Sequence, residues 1–145
     1  MDELDIKLIT LLQANSRMTI SELSNELALS RPSVSERLYR LQEKGVIEEY
    51  TTRISLSGVG RDILLIIQVS GLKVSVQEFE EMIKKEEEVI ECHRVTGEVS
   101  YFIKAAVSNM NSMRLLIDRL IPYGNINTST VLASPVPYRA ILPIT

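Results

Sequence analysis

Between its second and third apolar stripes this chain has only "ALS", Ala28 to Ser30. Two short amphipathic helices joined so tightly have the helix-turn-helix layout, and that restricts what the first fifty residues can form. Leu4, Leu8, Leu11 and Leu12 follow the i, i+4, i+7, i+8 spacing of one helix face. Asp2, Glu3 and Asp5 sit at its N-terminal end, where they suit the helix dipole. After the stop "ANSR" comes "TISELSNEL", in which Thr19 and Glu22 form a capping-box signature and Ile20, Leu23 and Leu27 supply a buried stripe. Ser30 is the natural N-cap of the third helix. Pro32 falls in its first turn, where a missing N–H costs little. Val34, Leu38 and Leu41 form its core face, and Gly45 ends it as a left-handed cap.

The hydrophobic period changes at Val46. "VIEEYTTRIS" is rich in β-forming residues and reads as a linker strand, and the two glycines of "LSGVGR" mark a boundary near Gly58. Beyond it strands and helices alternate. "DILLIIQVSG" is a strand, followed by the helix "SVQEFEEMIKKEEE" with a Ser75–Glu78 capping signature and Val76, Phe79, Met82 and Ile83 on one face. "VIECHRVTG" and "VSYFIKAAVS" are strands around a Gly97 turn, and "NMNSMRLLIDRLI" and "NINTSTVLAS" close the order as helix and strand. The expected fold class is α+β: a helix-turn-helix domain over 1–57, including the linker strand, and a βαββαβ ferredoxin-like sandwich over 58–145. In Ile63–Val69 both alternating faces are apolar. Two helices cover only one face of a four-stranded sheet, so the other calls for a second copy, and a homodimer through the sheets is expected.

Charge locates function better than its total does. The chain of 145 residues has 16 Lys and Arg against 19 Asp and Glu, a formal balance of −3. Residues 1–50 carry six cations and nine anions, and the remainder carries ten of each. No broad basic field exists, so any nucleic-acid contact has to come from a focused patch. Four of those six cations, Arg31, Arg37, Arg40 and Lys44, fall on or just after the third helix. At about 100° per residue, Ser33, Arg37, Arg40 and Lys44 form one polar stripe beside the core face, while Arg31, Pro32 and Ser33 occupy the N-terminal turn. In helix-turn-helix proteins that turn points into the major groove. Arg can read guanine bidentately, and the other cations suit phosphate contacts. A solvated, scattered-charge face is the bland alternative. The preceding helix, short turn, N-cap and trailing strand together favour double-stranded DNA as the partner.

Taken in order, "LDIKLITLLQANSRMTISELSNELALSRPSVSERLYRLQEKGVIEEY", "VIECHRVTGEVSYF", "TSTVLAS" and "ILPI" resemble the Lrp/AsnC (leucine-responsive, feast/famine) family of transcription regulators, nearly end to end. That resemblance implies a winged-helix-like N-terminal domain, a linker strand, and an effector domain that dimerises through its sheets, with dimers assembling into octamers or related forms. It places DNA reading on Ser30, Arg31, Pro32, Ser33, Ser35, Arg37 and Arg40. It places a small effector, such as an amino acid, near Thr96, Gly97, Glu98, Val99, Ser100 and Tyr101, at an interface between dimers, with Thr128 and Thr130 as neighbours. The family often reads Gly-x-x-Asp-Tyr there, its Asp meeting an ammonium group. This chain reads "GEVSY", with Ser100 in the Asp position and Glu98 leaving the loop from a different point. Another ligand, or none, is the alternative.

Other function classes find less support. Cys92 and His93 are adjacent, so on a strand they point to opposite faces, and the chain has no further Cys or His to complete a metal site with them. No nucleophile–base pair, phosphate loop or carboxylate dyad has enzymatic spacing, so neither an enzyme nor a resident cofactor is expected. The acidic start lacks the pattern of a signal peptide, and the longest apolar run, Ile63 to Ile67, is too short to span a bilayer. A cytoplasmic, nucleoid-associated protein with no membrane contact follows as the expectation. Two further readings remain open: an architectural protein that wraps DNA without an effector, and a small-molecule-binding module on a ferredoxin-like fold.

Overall fold

The computed structural model describes residues 1–144. The chain forms two compact units: residues 1–53 joined by the C-terminal segment from Val136, and residues 54–135.

The first unit holds three helices: α1 (Glu3–Ala14), α2 (Ile20–Leu27) and α3 (Arg31–Glu43). Leu8, Leu12, Leu23, Leu27, Val34 and Leu41 form its core, with Leu4, Leu11, Ile20 and Leu38 packed around them. These are the stripes that the periodicity predicts. Six buried side chains make a small core, and each contributes about 1.5–3 kcal/mol of burial. Thr19 and Glu22 form the expected capping box on α2. α1 has a second box, unforeseen in the sequence, in which Asp2 and Asp5 each accept the other's backbone N–H. α2 ends on Ala28 in the left-handed conformation, at φ 52°. The Leu29 N–H bonds back to the Ser24 carbonyl and the Ala28 N–H to the Asn25 carbonyl, the paired closure of a Schellman turn. Gly45, at φ 68°, closes α3 in the same manner.

Residues 46–55 differ from expectation, since they pair with no strand and form no regular element. β propensity alone does not make a strand without a ladder partner. The domain boundary also differs. Contacts divide at Arg53/Ile54 rather than at 57/58, and the segment from Val136 packs with the first unit. It is held by single side chains: the Gln13 amide bonds both the N–H and the carbonyl of Ile141, each at 2.8 Å, and the Arg53 guanidinium lies 5.0 Å from the ring centre of Tyr138. Such contacts leave no periodic trace in a sequence.

The second unit contains β1 (Ile63–Ser70), α4 (Val76–Ile83), β2 (Val89–Arg94), β3 (Val99–Val107), α5 (Met110–Leu120) and β4 (Asn125–Thr130). The strands form one antiparallel sheet in the order β2-β3-β1-β4, the ferredoxin-like arrangement expected of βαββαβ. Leu65, Ile67 and Val69 of β1 pack with Ile103, Ala105, Val107 and Tyr101 of β3 beneath Phe79 and Ile83 of α4 and Leu116 and Leu120 of α5. Both helices therefore cover one face. The opposite face carries Leu64, Ile66, Phe102 and Ala106, paired across the strands as Leu64 with Ala106 and Gln68 with Phe102. Phe102 is 38% exposed.

Candidate nucleic-acid interface

The start of α3 is built by its cap. Ser30 Oγ accepts the Ser33 N–H at 3.3 Å and donates to Ser33 Oγ at 3.0 Å. Ser33 is thereby tied back to the turn, while Arg31, Pro32 and Ser35 stand exposed. The first turn carries no acidic residue, so the positive end of the helix dipole is left for an external anion.

Arg40 and Lys44 are exposed and form no ion pair among the described residues. They border a hollow of about 260 Å³ together with Met1, Asp2, Asp5, Arg37, Leu41 and Val46. Arg37 is placed differently from the rest of the stripe. Its Nη1 donates to both carboxylate oxygens of Asp2 at 2.8 Å and to Asp5 Oδ1 at 2.7 Å, and its side chain is only 16% exposed. The Arg37 hydrogen bond, seconded by the Asp5 backbone N–H, holds the Asp2 carboxyl below the usual aspartate value. Asp2, then Asp5, raises the Arg37 guanidinium in return. Arg37, expected on the DNA-facing stripe, instead turns its guanidinium toward α1. Helical angle alone could not reveal this, because the partners lie more than thirty residues away in sequence.

Tyr39 and Gln42, which the sequence did not single out, extend Arg31 and Ser35 into a second row on α3. Arg31, Ser35, Tyr39 and Gln42 are spaced i, i+4, i+8, i+11, and all are exposed, Tyr39 at 65%. A search for polar and aromatic residues at helical spacing along the flank of the core face away from the basic stripe would have found it.

In the second unit, Thr96, Gly97 and Glu98 form the exposed tip of the β2–β3 hairpin, with Gly97 at φ 105° and the Val95 N–H bonded to the Ser100 carbonyl. Val99 and Ser100 are half-buried at the start of β3. Tyr101 is not at the loop surface. It is a core residue, its ring 4.4 Å from that of Phe79 and its hydroxyl donating to Glu80 Oε1 at 2.7 Å. Burial, then the Glu80 carboxylate, pushes its pKa up to about 12. Thr128 and Thr130 pair with Ile67 and Leu65 on β4, the opposite sheet edge from β2. Strand spacing of about 4.8 Å across two intervening steps, with the offset along the strands, keeps them from meeting the hairpin tip within one chain. Thr128 Oγ1 is buried without a hydrogen-bond partner among the described residues, and Thr130 Oγ1 reaches only the Met113 sulfur, at 3.9 Å.

Cys92 pairs with Ile103 and His93 with Phe102, which places them on opposite faces. His93 Nε2 lies 3.1 Å from Glu91 Oε2. Among the described residues no group of three His, Cys, Asp or Glu side chains could hold a metal ion, and no helix is long and apolar enough to cross a membrane.

Comparison with known proteins agrees with this architecture in both units. Residues 1–48 match the winged helix-turn-helix DNA-binding family model, and residues 64–141 match the Lrp/AsnC ligand binding domain. The HTH-type transcriptional regulator YezC of Bacillus subtilis is 31% identical over 134 residues, covering 92% of this chain and 95% of YezC. The structure of B. subtilis LrpC superposes with a TM-score of 0.90 at 24% identity, over 95% of this chain and 99% of LrpC, a likeness of fold. The transcriptional regulator NMB0573 of Neisseria meningitidis, solved as a complex with L-Met, has a TM-score of 0.88 at 30% identity, over 99% of this chain and 96% of its own. The chain belongs to the Lrp/AsnC family of helix-turn-helix transcriptional regulators.

Proposed function

We propose that this regulator reads its operator with the N-terminal turn and outer row of α3: Arg31 and Ser35 at base edges, Tyr39 and Gln42 beside them, Arg40 and Lys44 on phosphates. The supporting observation is the Ser30-capped first turn, which has no acid and leaves Arg31 without an ion-pair partner among the described residues. A guanidinium at that position can reach guanine O6 and N7. Two such helices, related by a dimer, would meet half-sites about 34 Å apart or a multiple of it. The dimer forms through the open face of the sheet. Leu64, Ile66 and Phe102 supply its apolar centre, and Glu91, His93 and Lys104 a polar margin at the β2 edge.

The hairpin tip of Thr96, Gly97 and Glu98, with Ser100, takes a small effector between chains, because β4 of the same chain lies too far away to complete the site. The L-Met complex of the Neisseria relative supports an amino acid as the first class to try. Ser100 offers a hydroxyl to an ammonium group where a carboxylate would offer charge, so binding is weaker unless Glu98 of the same or a neighbouring chain supplies it. Higher assemblies, octamers included, follow if that site bridges dimers.

One experiment tests the core of this reading: selection of bound duplexes from a random pool, with and without a panel of amino acids that includes methionine. The expected result is a palindromic consensus whose half-sites keep one spacing, and a change in affinity with at least one amino acid. Long, phased protection on unrelated sequences with no consensus would instead mean wrapping without base readout.

A further inference from the structure

We propose that Arg37 is a positioning residue, which fixes recognition helix α3 against the N-terminus of α1 through Asp2 and Asp5 and makes no contact with DNA phosphate. This rests on the reading of α3 as the DNA-contacting helix. Asp2 Oδ1 accepts the Asp5 N–H at 2.9 Å, and Asp5 Oδ2 accepts the Asp2 N–H at 3.0 Å. The capping box therefore locks both carboxylates to α1's own backbone. Their remaining acceptor positions converge on Arg37 Nη1, at 2.7–2.8 Å. Asp5 is itself mostly enclosed, its side chain 12% exposed.

Two anions surround one cation, so the cluster keeps a net charge of −1. A phosphate that sought Arg37 would have to displace two carboxylates anchored by main-chain bonds, and would meet that residual negative charge while doing so. Arg40 and Lys44 line the same hollow but carry no ion pair among the described residues, so their charge stays available. The stripe therefore divides by task. Arg37 sets where the helix lies, and its neighbours one and two turns on carry the attraction. A charge-assisted bond of this kind has a definite direction, so it fixes the placement of α3 over α1 more narrowly than apolar packing does.

Salt dependence separates the two roles. A phosphate contact contributes about 0.9 to the slope of log affinity against log salt, per contact and per chain, whereas a positioning residue contributes none. Affinity of the full-length protein is measured from 50 to 200 mM salt on the tightest duplex recovered from the random pool. The variants are Arg37→Met, Arg37→Lys, Asp2→Asn, Asp5→Asn, Arg31→Ala, Arg40→Ala and Lys44→Ala. Arg37→Met should lower affinity about tenfold at every salt concentration and leave the slope at the wild-type value, with Arg37→Lys restoring part of the loss. Asp5→Asn and Asp2→Asn should also weaken binding, although each removes negative charge from the DNA-binding unit. Their losses should not add to that of Arg37→Met. Arg40→Ala should flatten the slope.

If Arg37→Met flattens the slope as Arg40→Ala does, or if either Asp→Asn variant tightens binding, the proposal is overturned. Should Arg37→Met fail to fold by circular dichroism, the two Asp→Asn variants decide by the sign of their effect alone. Arg40→Ala, Lys44→Ala and Arg31→Ala together leaving affinity untouched would instead overturn the assignment of α3, whatever Arg37 does.

Discussion

The two expected binding regions of this chain are assembled in opposite ways. The DNA-facing region is contiguous: Ser30 to Lys44 lie on one helix and its cap, so a single period of about 3.6 residues sorts them into core, stripe and outer row. The effector region joins a hairpin tip, the start of β3 and β4, and only Thr96 to Ser100 share a surface. A site on one helix is written in local spacing. One spread over non-adjacent strands, and over more than one chain, depends on pairings that spacing does not encode. On the proposed reading the first region lies within one protomer and the second draws on a neighbouring chain, which makes assembly the first place to press.

Phe102→Asp puts a charge at the centre of the open sheet face, beside Ile66 and opposite Gln68. Burying a lone carboxylate there is prohibitive, so the dimer should dissociate to monomers in sedimentation at micromolar concentration. Binding to a two-half-site operator should then fall about 10²–10⁴-fold through lost avidity, while the fold by circular dichroism stays native. A variant that remains dimeric would mean that the sheets do not meet, and that the hairpin site is completed by some other contact.

Core truncation tests whether the two units depend on packing alike. Leu8 in α1 and Leu116 in α5 are both fully buried. Each Leu→Ala should cost about 2–5 kcal/mol in urea unfolding. The functional losses should differ in kind. Leu8→Ala should remove DNA binding, since only six buried side chains centre that core. Leu116→Ala should chiefly weaken effector response and assembly.

Much of this organisation was legible in the sequence. Leu8, Leu23, Leu27, Val34 and Leu41 were placed in the core by spacing alone, and Thr19, Ser30 and Gly45 marked helix ends, because caps and stripes are local physics. The faces of β1 followed from its alternation. What escaped was the commitment of Arg37 to Asp2 and Asp5, the return of the chain from Val136 to Gln13 and Arg53, and the inward turn of Tyr101. The first two depend on partners at long sequence distance, which no periodicity announces, whereas Tyr101 shares a face with Ile103, Ala105 and Val107, so the alternation of β3 did carry its inward turn. Residues 46–55 failed for a related reason: their β propensity is real, yet a strand needs a ladder, and this chain offers them none.

Tyr101 shows the consequence for pH. It was expected beside an effector, yet its hydroxyl is buried on Glu80, and its pKa is raised to about 12. The unfolded chain ionises this group near 10, so the neutral folded form contributes stability that is fully present below pH 10 and is lost as pH rises toward 12. The loss is on the order of 2–3 kcal/mol. Chemical unfolding of wild type and Tyr101→Phe across pH 9–12 checks it. The wild type should show the added alkaline loss, and Tyr101→Phe, which has no proton to release, should not. Equal alkaline slopes would return Tyr101 to an exposed position and bring the effector region closer to its expected composition.

The smallest effect concerns the turn that orients α3. Ala28 holds a left-handed conformation, at φ 52° and ψ 43°, which costs a residue with a Cβ about 1–2 kcal/mol. Glycine would remove that cost, but it adds freedom to the unfolded chain worth about 0.4–1 kcal/mol. The difference leaves Ala28→Gly stabilising by about 0.5–1 kcal/mol, visible as a higher urea midpoint at unchanged slope. Ala28 is exposed, so no buried contact is lost with its methyl group. Operator affinity should stay constant, because the Leu29–Ser24 and Ala28–Asn25 main-chain bonds that shape the turn are kept. A stabilised variant with weakened operator binding would mean that the strained alanine itself sets the angle at which α3 meets DNA, and the contiguous region would then depend on a single backbone torsion as much as on its side chains.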